Sequence, residues 1–338
     1  MLVDIVNVQV EDHDVWLIIG NNDVDVSIMS ALDSRAHGVF LARPPGSRNP
    51  WYALKLLAAL WRIRPDVIHV HQESFIRLKR FMPAPLLLTI HDTRIGFGPA
   101  LAKHDSICCI SEAVKNDVMA RFPSCYPRVV HNGVKFSSIA VKQRYGETPF
   151  RIVQVSRLDH EKKGQDVLIR ALQGVNEVMG EGTVTIDFIG EGSSLDYLQK
   201  LAIERNVEKY CNFLGPKPRQ YIYGNLHTYD LLVQPSRYEG FGLTVVEGIA
   251  AGLPVLVSDI EGPMEIIDGG KLGTSFRTDD FTECAAKIID VIGESRRSDF
   301  AKRMNERINY AKSRFDVGLT ARNYVNEYQK LLLTKQMS

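Results

Sequence analysis

No apolar run in this 338-residue chain approaches the roughly 20 residues a membrane-spanning helix needs; the longest candidates centre on LLLTI and DLLVQ. The first residues, MLVDIVNVQVEDHD, lack the basic start and apolar core of a secretory leader. Any membrane contact is therefore expected to be peripheral. Charge of one sign is missing too: 41 Lys and Arg against 40 Asp and Glu leave a net charge of +1. That balance supplies no global field for nucleic acid, and nucleic acid is not the expected partner. The five cysteines, Cys108, Cys109, Cys125, Cys211 and Cys284, are odd in number and have no metal-ligand spacing. The adjacent pair in SICCISE reads as small buried thiols in a strand, which points to a reducing, cytoplasmic compartment.

What the chain does have is globular: 45% apolar and 24% charged residues. Its length favours two domains with a cleft between them. Short β-rich runs (VWLIIG, VIHVH, LLLTIH, SICCIS, RVVHNG, then RIVQVS, VTIDFIG, DLLVQPS, PVLVSD) alternate with helical patterns. Several runs are apolar without period-2 alternation, as in parallel strands covered on both faces. An α/β doubly wound arrangement follows. The polar, turn-rich stretch SSIAVKQRYGETPF, residues 137–150, precedes a fresh strand and helix. It divides the chain into Rossmann-like halves, expected at residues 1–136 and 137–316, whose ligands sit beyond the carboxyl ends of the strands.

The stretch RYEGFGLTVVEGIAAGLPV carries the strongest signal. Residues 242–251 read as a helix stopped by Gly252 and Pro254. Its N-terminus falls at Phe241, Gly242, Leu243 and Thr244, where amides lacking intrahelical acceptors and the positive dipole end suit a phosphate. Glu247, about a turn inside, suits ribose hydroxyls, and Glu239, before the bend, suits another part of the same ligand. A phosphate flanked by two hydroxyl-bearing rings describes a nucleotide-sugar. A glycine loop with two surface glutamates remains the alternative.

In RLDHEKKGQDVLIRAL, Arg157 and Lys163 flank the mouth of a loop entering a helix, where fixed cations can neutralise a departing diphosphate without a metal. Of the adjacent Lys162 and Lys163, one is expected to be solvated, and ordinary surface cations remain the other reading. His91, just past the strand LLLTI, can hydrogen-bond a sugar hydroxyl or phosphate oxygen, and His69 and His71 occupy a similar strand end. A packing role is the competing reading for each histidine.

These motifs together resemble the retaining glycosyltransferases of the GT-B fold, glycosyltransferase family 4, of the type that builds bacterial surface polysaccharides. The resemblance rests on SRLDHEKKG, the acid pair in PSRYEGFGLTVVEGIAAGLPV, and the supporting stretches TIHD, ISEAVKNDV, VVHNGV, FIGEG and CNFLG. It implies two Rossmann-like domains facing across a cleft, with a final helix, residues 317–338, crossing back to the first. It implies that Arg157, Lys163 and the amides of Phe241 to Thr244 hold the donor diphosphate and that Glu247 takes the ribose. Glu239 contacts the transferred sugar, and His91 lies near the sugar and β-phosphate. Pro216 and Lys217 are expected near the base, with Asn132 and Gly133 lining the cleft. No metal and no cofactor beyond the nucleotide-sugar co-substrate, a uridine one, are expected. The acceptor is a growing glycan such as lipopolysaccharide or capsule, free or lipid-linked, met in the cytoplasm or at the inner face of its membrane.

The pattern departs at the start. The family begins with a strand, a glycine loop and a helix; residues 2–11, LVDIVNVQVE, read as the latter part of that helix. The first strand of the N-terminal domain is expected to be missing, leaving neighbouring edges unpaired. A catalytically impaired nucleotide-sugar-binding or scaffold protein is therefore the alternative function, and a GT-B-like epimerase or phosphorylase a third. Asp23 and Asp25 in NNDVDV have the spacing of a metal-binding pair, but turn chemistry is the favoured reading. In WYALKLLAALWRIR, Trp51, Leu54, Leu57 and Trp61 fall at helical spacing with basic residues between. The stripe suits a helix resting on anionic lipid or, as periodicity alone favours, one facing the core.

Overall fold

A computed structural model describes residues 1–20, 29–41, 50–93, 96, 98 and 100–336. Asp23 and Asp25 lie outside the described residues. The chain divides into two compact units, residues 1–134 with 317–338, and residues 135–316. Each is a parallel-sheet, Rossmann-like α/β unit.

The second unit holds one six-stranded sheet. Its strands are β7 (Phe150–Val155), β8 (Val184–Ile189), β9 (Cys211–Phe213), β10 (Leu231–Gln234), β11 (Val255–Ser258) and β12 (Thr274–Phe276), in the spatial order β12-β11-β10-β7-β8-β9. All pairings are parallel. The order reverses between β7 and β10, the switch point at which open α/β sheets hold ligands beyond their carboxyl ends. Every residue of β10 and β11 is buried, which is why both read as unbroken apolar runs. Helix α5 (Gln165–Met179) packs on this core through Leu168, Ile169, Leu172 and Val175, against Ile288 and Ile292 of α10 (Phe281–Ser295). Asp280 caps α10, its carboxylate accepting from the amide of Glu283 at 2.8 Å.

In the first unit the sheet comes in two pieces. Strands β1 (Trp16–Ile19) and β2 (His37–Phe40) form one parallel pair. Strands β3 (Ile68–Val70), β4 (Leu86–Ile90), β5 (Ser106–Cys109) and β6 (Arg128–Val129) form a separate four-stranded parallel sheet in chain order. Among the described residues β1 pairs only with β2, and β3 only with β4. Residues 2–9 form helix α1 (Leu2–Gln9), as their reading as a helix end implies. Helix α12 (Val317–Gln336) covers β4 and β5, with Val317, Ala321, Tyr324 and Leu331 packed with Leu87, Cys108 and Ile5. All five cysteines are buried free thiols, and burial pushes those of Cys108 and Cys109, in β5, up to about 12.

Helix α2 (Pro50–Ile63) corrects one expectation. The stripe of Trp51, Leu54 and Trp61 does not face the core: these residues are 66%, 54% and 57% exposed. Leu57 is half-buried. The core side is Leu56 and Leu60, one turn apart on the opposite face. A helix apolar nearly all round has two candidate faces, and spacing alone cannot choose between them.

Candidate functional site

The carboxyl ends of β7 and β10 are neighbours because those strands pair in the middle of the second sheet. The chain leaving β7 passes Arg157 and enters the short helix α4 (His160–Lys163), whose first turn is capped by Asp159. Gly164 follows at φ 64°, starting α5. A Cβ at Gly164 would lie 1.9 Å from the carbonyl oxygen of Pro235, so only glycine lets this turn press against the end of β10. That approach brings Lys163 against Glu239. Their ammonium and carboxylate form a short ion pair, both side chains largely buried.

Neighbouring polar side chains hold the pair and the loops that carry it. Gln234, the last residue of β10, donates from Nε2 to the same Glu239 oxygen at 3.0 Å, and its Oε1 accepts from the Thr244 hydroxyl. Gln154 donates to the carbonyl of Lys163 at 2.8 Å. Gln165 donates to the carbonyl of Arg157 at 2.7 Å and to the Ser156 hydroxyl at 3.0 Å. Arg237 grips Asp166 with a two-pronged fork at 3.0 and 2.9 Å and meets Asp279 at 2.7 Å. Those carboxylates, Asp166 above all, raise its pKa above the ordinary guanidinium value. The fork ties the loop after β10 to the first turn of α5.

Helix α8 (Leu243–Ala250) begins on the same edge. Gly242 stands at its N-cap with φ 104°, a conformation that glycine adopts without strain. The amides of Gly242, Leu243 and Thr244 thus lie at the positive end of a helix dipole. Phe241 is buried, its ring edge-on to Phe315 at 5.8 Å. Glu247 sits half-buried one turn along. Towards the sheet edge, the amide of Gly190 after β8 donates to the carbonyl of Gly215 at 3.0 Å. Exposed Pro216 and Lys217 follow, with the Lys217 ammonium 5.5 Å from the Tyr221 ring.

The second unit therefore gathers Arg157, Lys163, Glu239, residues 241–244 and Glu247 around the ends of β7 and β10, with Pro216 and Lys217 two strands away at the end of β9. Arg157 is exposed, whereas neither of the adjacent lysines is solvated, against the expectation for one of them: Lys162 is buried, its ammonium 4.6 Å from the Tyr238 ring, and Lys163 is largely buried. Gln154, Gln165, Gln234 and Arg237 escaped the sequence reading. For Gln154 and Gln234 the signal is a polar residue interrupting an apolar strand, RIVQV and LLVQP; Gln165, in a helix, and Arg237, in a loop, carry no such mark.

The first unit carries a second cluster, at the ends of β3 and β4. His71 Nδ1 and His91 Nε2 are 2.7 Å apart, so one ring carries the proton the other accepts. His69 bridges Thr89 Oγ1 and the Tyr328 hydroxyl, each at 2.7 Å, and its ring lies 4.5 Å from that of His71. Burial, then the neighbouring imidazole, lowers His71 to about 4; burial also lowers His91, and lowers His69 well below the ordinary value. The three rings are neutral near pH 7. Asn132 and Gly133, after β6, are both buried, and among the described residues the Asn132 Oδ1 has no hydrogen-bond partner.

Among the described residues no helix is long and apolar enough to cross a membrane, and no group of three His, Cys, Asp or Glu side chains has the arrangement to hold a metal. Comparison with known proteins covers nearly the whole chain: the model for Glycosyltransferase Family 4 matches residues 3–137, and that for Glycosyl transferases group 1 matches residues 136–314. The chain is 29% identical over 255 residues to a glycogen synthase of Mycobacterium tuberculosis, covering 68% of the chain and 61% of that protein. It is 29% identical over 187 residues to the lipopolysaccharide 1,6-galactosyltransferase of Salmonella typhimurium, 53% of the chain and 51% of that protein. The matches thus span between half and two thirds of these relatives' lengths. Among solved structures, a glycosyltransferase from Rickettsia africae superposes with a TM-score of 0.79 at 17% identity, over 98% of this chain and 94% of that one. Anabaena HepE in complex with UDP and glucose gives 0.77 at 18%, over 97% and 95%. With the family model spanning more than half its residues and the two-domain fold of these enzymes in place, the chain belongs to the group 1 glycosyltransferases.

Proposed function

We propose that this glycosyltransferase moves a hexose from a uridine diphosphate sugar to a hydroxyl of a growing glycan, with retention at the anomeric carbon and without a resident metal. The observation that carries the reading is the Lys163 and Glu239 pair held by Gln234 beside the N-terminus of α8. Cation, carboxylate and helix dipole occupy one strand-end edge, the set a diphosphate sugar requires. In the reaction the bond from the anomeric carbon to the diphosphate oxygen breaks and a bond to the acceptor oxygen forms. The acceptor proton passes to the departing phosphate oxygen. Arg157, Lys163 and the amides of residues 242–244 stabilise the charge growing on that leaving group. Glu247 accepts from the ribose hydroxyls, and Glu239 from hydroxyls of the transferred sugar. His91, neutral and with its Nε2 engaged by His71, offers Nδ1 to the sugar or β-phosphate.

The Anabaena neighbour's complex with UDP and glucose supports a uridine donor, and the Salmonella relative's name supports a lipopolysaccharide acceptor. A thermal-stability screen of nucleotide-sugars tests the donor, because a ligand that binds only the folded state raises the melting temperature. The reading predicts the largest rise with a uridine sugar, followed by transfer that survives a chelator. Failure of every nucleotide-sugar to stabilise the chain would overturn it.

The divided sheet of the first unit favours a second reading, a chain that binds the donor without transferring its sugar. Sugar release measured with and without a glycan acceptor separates the two. Acceptor-dependent turnover supports transfer; donor binding with no turnover supports the second reading.

A further inference from the structure

The glycosyl-transfer reading leaves one surface of the first unit unused. On α2, Trp51, Leu54, Ala58 and Trp61 follow one another by three or four residues on a single exposed stripe. The Trp61 indole N–H donates to the carbonyl oxygen of Phe81 at 2.9 Å, joining the stripe to the end of the 3₁₀ segment Glu73–Phe81. Phe81 is itself 47% exposed, so one apolar surface runs across both elements. It contains two of the chain's three tryptophans.

Charge surrounds this surface unevenly. Residues 50–81 carry six basic side chains against two acidic ones, in a chain whose total is +1. Helix α2 has no acidic residue at all. Lys55, Arg62, Arg64, Arg77 and Arg80 are exposed, and the Arg80 guanidinium lies 4.6 Å from the centre of the Phe81 ring. Lys79 is drawn away, by Asp105 at 2.7 Å.

A contiguous exposed apolar surface of this kind marks an interaction site. Its composition selects the partner. Indole rings prefer the boundary between headgroup and hydrocarbon, where an apolar body and a polar N–H are both satisfied. The basic rim gains from a negative surface, and long Lys and Arg stems let the charge reach it while the ring layer is covered. A second copy of the same face would set like charge against like charge.

We propose that α2 and the adjoining 3₁₀ segment dock this glycosyltransferase on an anionic lipid bilayer, with Trp51, Leu54, Trp61 and Phe81 entering the interface and Lys55, Arg62 and Arg80 meeting the headgroups. The docking is independent of the donor assignment. It rests on exposed side chains that are given no part in the donor site.

Co-sedimentation of the full chain with vesicles tests it, using phosphatidylcholine alone and phosphatidylcholine with about a third phosphatidylglycerol. The wild type is expected to pellet with the anionic vesicles and to stay in solution with the neutral ones. The double variant Trp51→Ala/Trp61→Ala is expected to lose pelleting. Arg62→Gln/Arg80→Gln should lower the partition coefficient about thirtyfold, the effect of two basic residues removed from an anionic surface. Tryptophan quenching by brominated lipid in the wild type gives a readout independent of any variant's folding. A wild type that stays in the supernatant, equal binding to neutral vesicles, or variants that bind like the wild type would each overturn the proposal. So would a wild-type dimer in sedimentation velocity that Trp51→Ala/Trp61→Ala dissociates, since a second copy would then cover the face.

Discussion

In the second unit β10, LLVQ, is buried at every residue between two neighbouring strands; in the first, β1, WLII, is as apolar and none of its four residues is buried. The difference is not in the residues. β10 has β7 on one side and β11 on the other, whereas β1 has β2 alone among the described residues. Apolar side chains make a strand worth burying, but pairing on both edges and cover on both faces decide whether burial is achieved. The functional chemistry follows the same division. The second unit builds its candidate site from a polar network at the strand ends of an unbroken six-stranded sheet, and the first offers a small histidine cluster and an exposed aromatic stripe.

Matched truncations in β10 and β1 should show the largest difference between the units. Leu232→Ala in β10 is expected to cost about 3 kcal/mol, from lost transfer and an unfilled cavity, and to lower the melting temperature of the second unit. Leu17→Ala in half-buried β1 is expected to cost about 1 kcal/mol or less. Equal losses in denaturant titrations would mean that β1 is as well packed as β10.

Ion pairs sharpen it next. Arg237→Lys removes the two-pronged grip on Asp166 and is expected to cost about 2 kcal/mol. Arg128→Lys in the first unit, whose more than half-exposed side chain meets Glu327 at 3.2 Å, should change stability by less than about 0.5 kcal/mol. Thermal unfolding of the two variants side by side checks the ordering.

Acid should separate the units more gently. The folded first unit holds His69, His71 and His91 neutral with lowered pKa values, so its unfolded form binds more protons below the ordinary imidazole value. Their contribution is complete above about pH 6.5 and is lost as pH falls from there towards 4. In the second unit Asp259, held below its ordinary value by the Thr278 hydroxyl and amide, contributes above about pH 4 and loses its contribution below. Amide exchange at pH 7, 5.5 and 4.5 should show protection falling first in β3 and β4. His71→Gln should flatten that fall, and unchanged pH dependence in the variant would count against the cluster as its source.

The nine apolar runs read from the sequence are all parallel strands, and the helix after Gly242 is where its glycine stops place it. Strands β2, HGVF, β9, CNF, and β12, TSF, are short, polar-flanked edge or near-edge strands whose pattern carries little signal. In the site, charged residues after strands were legible because strand ends point to ligands. The glutamines that hold them were not, since a polar residue in an apolar strand does not tell which partner it reaches across the sheet. The burial of Lys162 depended likewise on Tyr238, 76 residues away, a contact no local pattern announces. The outward stripe of α2 was visible as periodicity, while its direction was set by what the rest of the unit covers.

Lys163, Glu239 and the start of α8, at the ends of β7 and β10, are proposed as the diphosphate-sugar site. Calorimetric titration of UDP into the wild type, Lys163→Ala and Glu247→Ala tests it most directly. Saturable binding to the wild type is expected, with a loss of about tenfold or more in each variant, the worth of one charge-assisted hydrogen bond. Binding of equal strength to all three proteins would contradict the assignment.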